Sequence, residues 1–270
     1  MSTFIVLFFL LLSLEAQPRR QISDRVNDIS AETASERWAK FMMSKQADNF
    51  YFCFELKHLP KRAKASTYLG EMLAKRINHT YHTRLCFADS QGNRYDYLFI
   101  LEELSGKSQV YSYDFETNAT RQLNPEDLLQ PLAKGLIYTP LDVLMDYKYW
   151  EAKYQRAGRI SQAVYFFKLK SPYAWLGDVE IALSREFNSP EQTQFFSPKG
   201  ELLRTFSLGS VKKIDDYWIV KTAEIKDEVS GDKDKFSITA ANLKESLDAN
   251  LFKKESLGKD IERILLEDIR

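Results

Sequence analysis

The chain has 270 residues, 44% hydrophobic and 28% charged, and its 38 basic and 38 acidic side chains balance to a formal net charge of zero. That is ordinary for a globular protein of one large domain or two small ones. It argues against a nucleic-acid partner, because no Lys/Arg cluster is long enough to leave a basic footprint.

Residues 4–14 (FIVLFFLLLSL) form an apolar run. The run is too short to span a bilayer, which takes roughly 20 residues, and has the length of a signal-peptide core. Small Ala16 before Gln17 suits a cleavage site, so residues 1–16 read as a signal peptide and the mature chain as exported. Residues 21–47 predict an amphipathic helix, because Ile29, Ala34, Trp38, Phe41 and Met42 recur at helical spacing between charged residues. From residue 49 the period changes to two. Phe50, Phe52, Phe54 and Leu56 share one face, with Tyr51, Cys53, Glu55 and Lys57 on the other. Further strands are predicted over 68–74, 83–88, 95–101 and 109–115, an antiparallel meander with turns at Pro60-Lys61-Arg62, 89–93 and Ser105-Gly106-Lys107.

Residues 120–150 break that rhythm. Short helices are predicted from Asn124-Pro125 and Thr139-Pro140, the second carrying Leu141, Leu144, Met145 and Tyr149 as an apolar stripe closed by Trp150. Period two resumes over 163–169, 179–187, 193–196, 201–211, 217–226 and 235–240. The tail over 256–270, with Ile261, Ile264, Leu265 and Ile269, predicts a C-terminal amphipathic helix. About eleven antiparallel strands result, and a sheet that large accumulates twist and must curl. The fold class expected is mainly β with a helical lid: a strongly curved antiparallel sheet forming a half-open barrel over 48–255, covered by short helices. Its Phe- and Leu-rich face must be shielded from water.

No catalytic constellation stands out, and the chain is not expected to be an enzyme or to carry a cofactor. There is no nucleophile elbow, phosphate loop or dinucleotide fingerprint. His79 and His82 are three apart in a strand or turn, which does not bring them to one face, and no third metal ligand is near. Cys53 and Cys86 fall on next-but-one strands, about 10 Å apart, beyond the roughly 7 Å a disulfide allows. Asn78-His79-Thr80 and Asn118-Ala119-Thr120 match the N-glycosylation sequon.

One stretch is more specific. FFSPKGELLRTFSLGSVKKIDDYWIVKTAEIKD resembles the bacterial lipoprotein-sorting, LolA/LolB-like family, in which strand, K-G-x-L-x-(K/R) turn, strand, K-x-I-D-x-Y-W turn and strand follow in that order. The matching residues are Lys199, Gly200, Leu202 and Arg204, then Lys213, Ile214, Asp215, Tyr217 and Trp218. PLDVLMDYKYW resembles a helix–Trp segment of the same group through Pro140, Leu141, Asp142, Leu144, Met145, Tyr149 and Trp150, but Asp146, Tyr147 and Lys148 replace the usual apolar residues. Leu251 and Phe252 resemble the closing segment.

The resemblance implies a hydrophobic cavity that shields acyl chains in the periplasm. Its partners would be an acylated lipoprotein or lipid cargo, an inner-membrane donor complex and an outer-membrane acceptor, for a chain that works as a monomer. The cavity residues expected are Phe50, Phe52, Phe54, Leu85, Phe87, Phe166, Ile181, Phe206 and Ile219, with Trp38, Phe41, Leu144, Met145, Tyr149 and Trp150 on the lid. The alternative is an envelope accessory protein that docks a membrane transporter or envelope complex and carries no cargo.

Overall fold

The computed structural model describes residues 31–43, 48–103, 105–214, 217–244, 246–261 and 269, with only the backbone at Phe4–Ile5, Leu11–Leu12, Ala31 and Glu267–Asp268. Most of the proposed signal peptide, and Asp215 and Asp216, lie outside the described residues.

Thirteen strands build one antiparallel sheet. In chain order they are β1 (Asn49–Leu59), β2 (Ser66–Ile77), β3 (Thr80–Asp89), β4 (Arg94–Glu102), β5 (Ser108–Asp114), β6 (Ala119–Gln122), β7 (Ala152–Arg159), β8 (Ala163–Leu169), β9 (Val179–Ser184), β10 (Pro190–Phe196), β11 (Leu202–Leu208), β12 (Thr222–Asp227) and β13 (Lys233–Asn242). Their lateral order is β6-β5-β4-β3-β2-β1-β13-β12-β11-β10-β9-β8-β7, and a two-residue strand, Glu267–Asp268, adds to β13. The sheet is open: β6 and β7 are its edges, and residues 123–151 run between them.

The strand count of about eleven is corrected to thirteen. β6 (ATRQ) is exposed along its whole length, and β7 keeps only small or half-buried apolar groups. Neither edge strand has a fully buried side, so neither shows the alternation that reveals a strand. The run over 201–211 ends at Leu208, and the run over 217–226 is interrupted at Lys221. A bulge at Gly209-Ser210, where Lys221 and Thr222 N–H both donate to Ser210 O at 2.7 and 3.1 Å, bends the hairpin. Its tip, Val211–Ile214 with Tyr217–Val220, forms a small separate sheet with Phe4–Ile5 and Leu11–Leu12.

The register explains the two faces. Phe50, Phe52, Phe54 and Leu56 point inward with Leu85, Phe87, Phe236 and Ile238, while Tyr51 and Leu73 belong to a second cluster on the back. Gly70 makes the close inner packing possible. A Cβ there would lie 2.4 Å from Cys86 O and 2.6 Å from Phe54 Cζ. Cys53 and Cys86 both pair with Glu71 from opposite sides, two strands apart, and no disulfide joins them.

Helix α1 (Ala31–Met42) falls within the 21–47 expected, with Met43 in a turn; residues 21–30 and 44–47 lie outside the described residues. It buries Ala34 and Phe41 and half-buries Trp38 and Met42, a stripe of helical period. The C-terminal helix over 256–270 is not formed where the chain is described. Gly258 stands at φ +81, a left-handed residue that stops a helix, and Glu267–Asp268 is extended on β13; residues 262–266 lie outside the described set. Asn78 and Asn118, the sequon asparagines, also have positive φ (55 and 52) in tight turns, which gives them a plain backbone role.

Two short-range devices shape residues 123–151. Pro125 and Pro140 each open a helical turn, and the carboxylates of Asp127 and Asp142 accept from the N–H of Asn124 (3.0 Å) and Thr139 (2.8 Å). The predicted helix from Thr139 ends early. Helix α2 (Pro140–Leu144) stops at Met145, which is left-handed at φ 48, and a 3-10 turn (Asp146–Tyr149) follows.

Candidate functional site

The inner face of the sheet is lined with apolar side chains from β1 to β13, and residues 123–151 lie across it. Leu132, Leu136, Tyr138, Leu141, Leu144 and Met145 of this covering segment are buried against Phe54, Leu85, Phe87 and Phe236 in a single cluster. Aromatic rings pack closely there: Phe50 on Phe52 at 4.5 Å, Phe54 on Phe236 at 4.7 Å and Phe87 on Tyr95 at 4.9 Å between centroids. The space left between Phe54, Leu56, Met72, Leu85, Phe87, Leu132, Tyr138, Val143 and Phe236 is about 10 Å³, less than one water molecule occupies.

Polar contacts add to this apolar hold on the covering segment. Asp234 on β13 is fully buried. Its Oδ2 accepts from the N–H of Ile137 (2.6 Å) and Tyr138 (3.0 Å), and its Oδ1 meets His58 Nδ1 at 2.7 Å. Burial pushes this carboxyl up, opposed by those donors. Arg204 on β11 approaches the same stretch. Its Nη1 donates to Asp142 Oδ2 at 2.7 Å and lies 3.3 Å from both Ile137 O and Thr139 Oγ1, while the guanidinium sits 4.8 Å over the Phe195 ring. Tyr68 and Tyr97 hydroxyls add bonds to the carbonyls of Lys134 (3.0 Å) and Leu132 (2.7 Å). Two buried charged groups of the sheet thus bracket residues 137–142.

A family model described as an uncharacterized protein matches residues 145–259. No curated protein matches the chain in sequence. Among solved structures, one described as an outer membrane lipoprotein-sorting protein domain from Vibrio parahaemolyticus is similar over 83% of this chain and 96% of its own, with a TM-score of 0.70 at 15% identity. A LolA superfamily protein from Nitrosomonas europaea is similar over 85% and 100%, with a TM-score of 0.62 at 14% identity. The fold is LolA-like. A DUF1329 family protein from Desulfovibrio piger shares it as well, over 84% of this chain and 98% of its own, with a TM-score of 0.72 at 11% identity.

Phe50, Phe52, Phe54, Leu85, Phe87, Ile181 and Phe206 of the LolA-like sheet share one cluster with Ile219 of the small separate sheet. Phe166 is not among them. The alternation on β8 sends Tyr165, Phe167 and Leu169 inward and Phe166 to the back, where it packs with Val164 and Ala182 under the Arg156 guanidinium, 3.7 Å above its ring. Of the residues expected on a lid, Phe41, Leu144 and Met145 are buried in the interior, and Trp38 packs on Phe167 at 4.9 Å. Trp150 is half-buried at its margin, and Tyr149 turns away into a side cleft. Among the described residues no cluster of His, Cys, Asp or Glu is placed to hold a metal ion, and no helix is long and apolar enough to cross a membrane.

Asp146, at the end of the covering segment, is 4% exposed. Burial pushes its carboxyl up to about 6, partly offset by the Ser108 and Tyr173 hydroxyls. Because the folded value lies above the unfolded one, folding favours the protonated acid. This group's contribution is therefore greatest below about pH 4 and is lost as pH rises through 6, a difference of about 3 kcal/mol. Asp146→Asn is expected to flatten that slope and to raise stability near neutral pH by a similar amount, measured by urea denaturation at acidic and neutral pH. An unchanged slope would show that Asp146 titrates normally.

Proposed function

We propose that the protein is a periplasmic carrier, exported by its N-terminal segment, that shields lipoprotein acyl chains or other lipid between the inner face and the covering segment during transfer towards the outer membrane. In this reading the sheet curls as a half-open barrel, the chain acts as a monomer without catalysis, and donor and acceptor complexes lie in the inner and outer membranes. The observation that carries it is the attachment of the covering segment: an extensive apolar face closed by short helical pieces pinned through Asp234 and Arg204.

With about 10 Å³ free between Phe54, Met72, Leu132 and Tyr138, loading at that point requires residues 132–145 to move aside. The energetics permit it. An acyl chain contributes about 0.8 kcal/mol per buried CH₂, so roughly a dozen methylenes offer about 10 kcal/mol. Displacing Leu132, Leu136, Leu141 and Leu144 costs about 1.5–3 kcal/mol each. The two are of the same order, which suits a carrier that must also release its cargo.

The close packing at that point also favours a second reading, an envelope accessory protein that docks a membrane transporter or envelope complex and never opens. Native mass spectrometry of protein purified from the envelope separates the two. Acylated species bound to the wild type, and more of them bound to Arg204→Met, are expected of the carrier. Their absence from both proteins would leave the docking reading.

A further inference from the structure

A second concavity, separate from the apolar interior, opens beside the end of the covering segment. It encloses about 650 Å³ between the β4–β5 turn, the 3-10 turn Asp146–Tyr149 and the loop that carries Tyr173. Asp146 lies at its floor. Ser108 Oγ donates to Oδ2 at 3.1 Å and the Tyr173 hydroxyl also faces the carboxylate, whereas no well-aligned hydrogen bond reaches the buried Oδ1. No ion pair reaches Asp146 among the described residues; Lys107 is exposed at the rim, and buried Lys148 stands 4.9 Å from the Tyr149 ring behind the wall. A buried carboxylate oxygen with no donor is costly, and an incoming donor recovers that cost.

The walls add a second preference. Trp150 and Tyr173 meet at 76° with centroids 5.7 Å apart, and Tyr173 stacks its other side on Trp175 at 4.5 Å. Aromatic faces set at right angles attract organic cations through their quadrupoles. Anions are disfavoured by Asp146 and by Glu102 at the rim. A quaternary ammonium would satisfy the rings but has no N–H to give Oδ1.

We propose that this cleft binds a primary ammonium group, with the N–H donated to Asp146 Oδ1 and the adjoining methylenes held against Trp150 and Tyr173. Such a group could belong to an ethanolamine phospholipid head or to a soluble amine. The site stands independently of the carrier reading, since it requires no opening of the interior.

The test is calorimetric titration of the full chain with ethanolamine, ethylene glycol and tetramethylammonium. Saturable binding of ethanolamine is expected, about tenfold weaker for tetramethylammonium and undetectable for ethylene glycol. Asp146→Asn should lower ethanolamine binding about tenfold or more while circular dichroism stays that of the wild type. Trp150→Ala and Ser108→Ala give independent checks should Asp146→Asn fold poorly. Ethylene glycol binding as well as ethanolamine, no saturation at millimolar ethanolamine, or full binding by folded Asp146→Asn would each overturn the proposal. Vesicles containing ethanolamine rather than choline phospholipids identify the source. Selective retention on the ethanolamine vesicles supports a lipid head group, and binding of free ethanolamine without such retention supports a soluble amine.

Discussion

Arg204→Met is expected to free residues 137–150 from the sheet while leaving the sheet itself intact. Arg204 is 8% exposed and Asp142 2%, and their 2.7 Å contact is the main ionic tie between β11 and helix α2. Removing one partner of a buried pair costs about 3–5 kcal/mol, because the other is left as an uncompensated charge. Here the cost falls on a segment that can leave. Amide hydrogen exchange should therefore accelerate over 137–150 and hardly change in β1–β4. Arg204→Met/Asp142→Asn should recover part of the loss, since it removes both charges. A uniform loss of protection across the chain would mean that the pair is a structural element of the whole fold, and the covering segment could not then be regarded as a lid.

The second large effect belongs to the back face. Arg84 and Asp96, 1% and 2% exposed, form a two-point ion pair at 2.7 and 3.1 Å. Both reach further. Arg84 Nη2 donates to Lys259 O at 2.7 Å, Asp96 Oδ2 accepts from Gly258 N–H at 2.8 Å, and Cys86 Sγ lies 3.0 Å from Asp96 Oδ1. The pair thus clasps the C-terminal segment that brings Leu247, Phe252 and Leu257 over Tyr51, Leu73 and Leu98. Asp96→Ala is expected to cost about 3–5 kcal/mol in urea denaturation and to expose 247–260 to exchange. Arg84→Met/Asp96→Leu, which keeps the volume without the charges, should be far closer to wild type. If Asp96→Ala costs under about 1 kcal/mol, the level of an exposed pair, the clasp does not hold that segment.

The meander was legible because one face of each long strand is strongly apolar, as in FYFCFEL, where period two is unambiguous. β6 and β7 were hidden because edge strands bury neither face. The C-terminal helix was misleading because apolar residues at helical spacing also suit irregular chain: of that stripe, Ile261 packs on the second cluster and Ile269 in the main one. Phe166 illustrates the limit of composition: in a run such as VYFF both parities are apolar, and only the register on β9 decides which faces inward. Arg204 and Asp234, which hold the covering segment, carry a signal in the sequence. Arg204 shares the parity of Phe206, and Asp234 that of Phe236 and Ile238. A charged residue on the buried parity of a strand demands a partner across the interior.

The lateral order of the strands has a consequence for how the molecule comes into being. β1 and β13 are neighbours at the centre of the sheet, and His58 meets Asp234 across 176 residues of chain. A polypeptide emerging from its N-terminus therefore carries a six-stranded half with bare hydrocarbon on one side until residues 233–242 arrive to join it to the other half. β13 is the keystone, and shortening the chain from the C-terminal end would split the molecule down its middle rather than trim its margin.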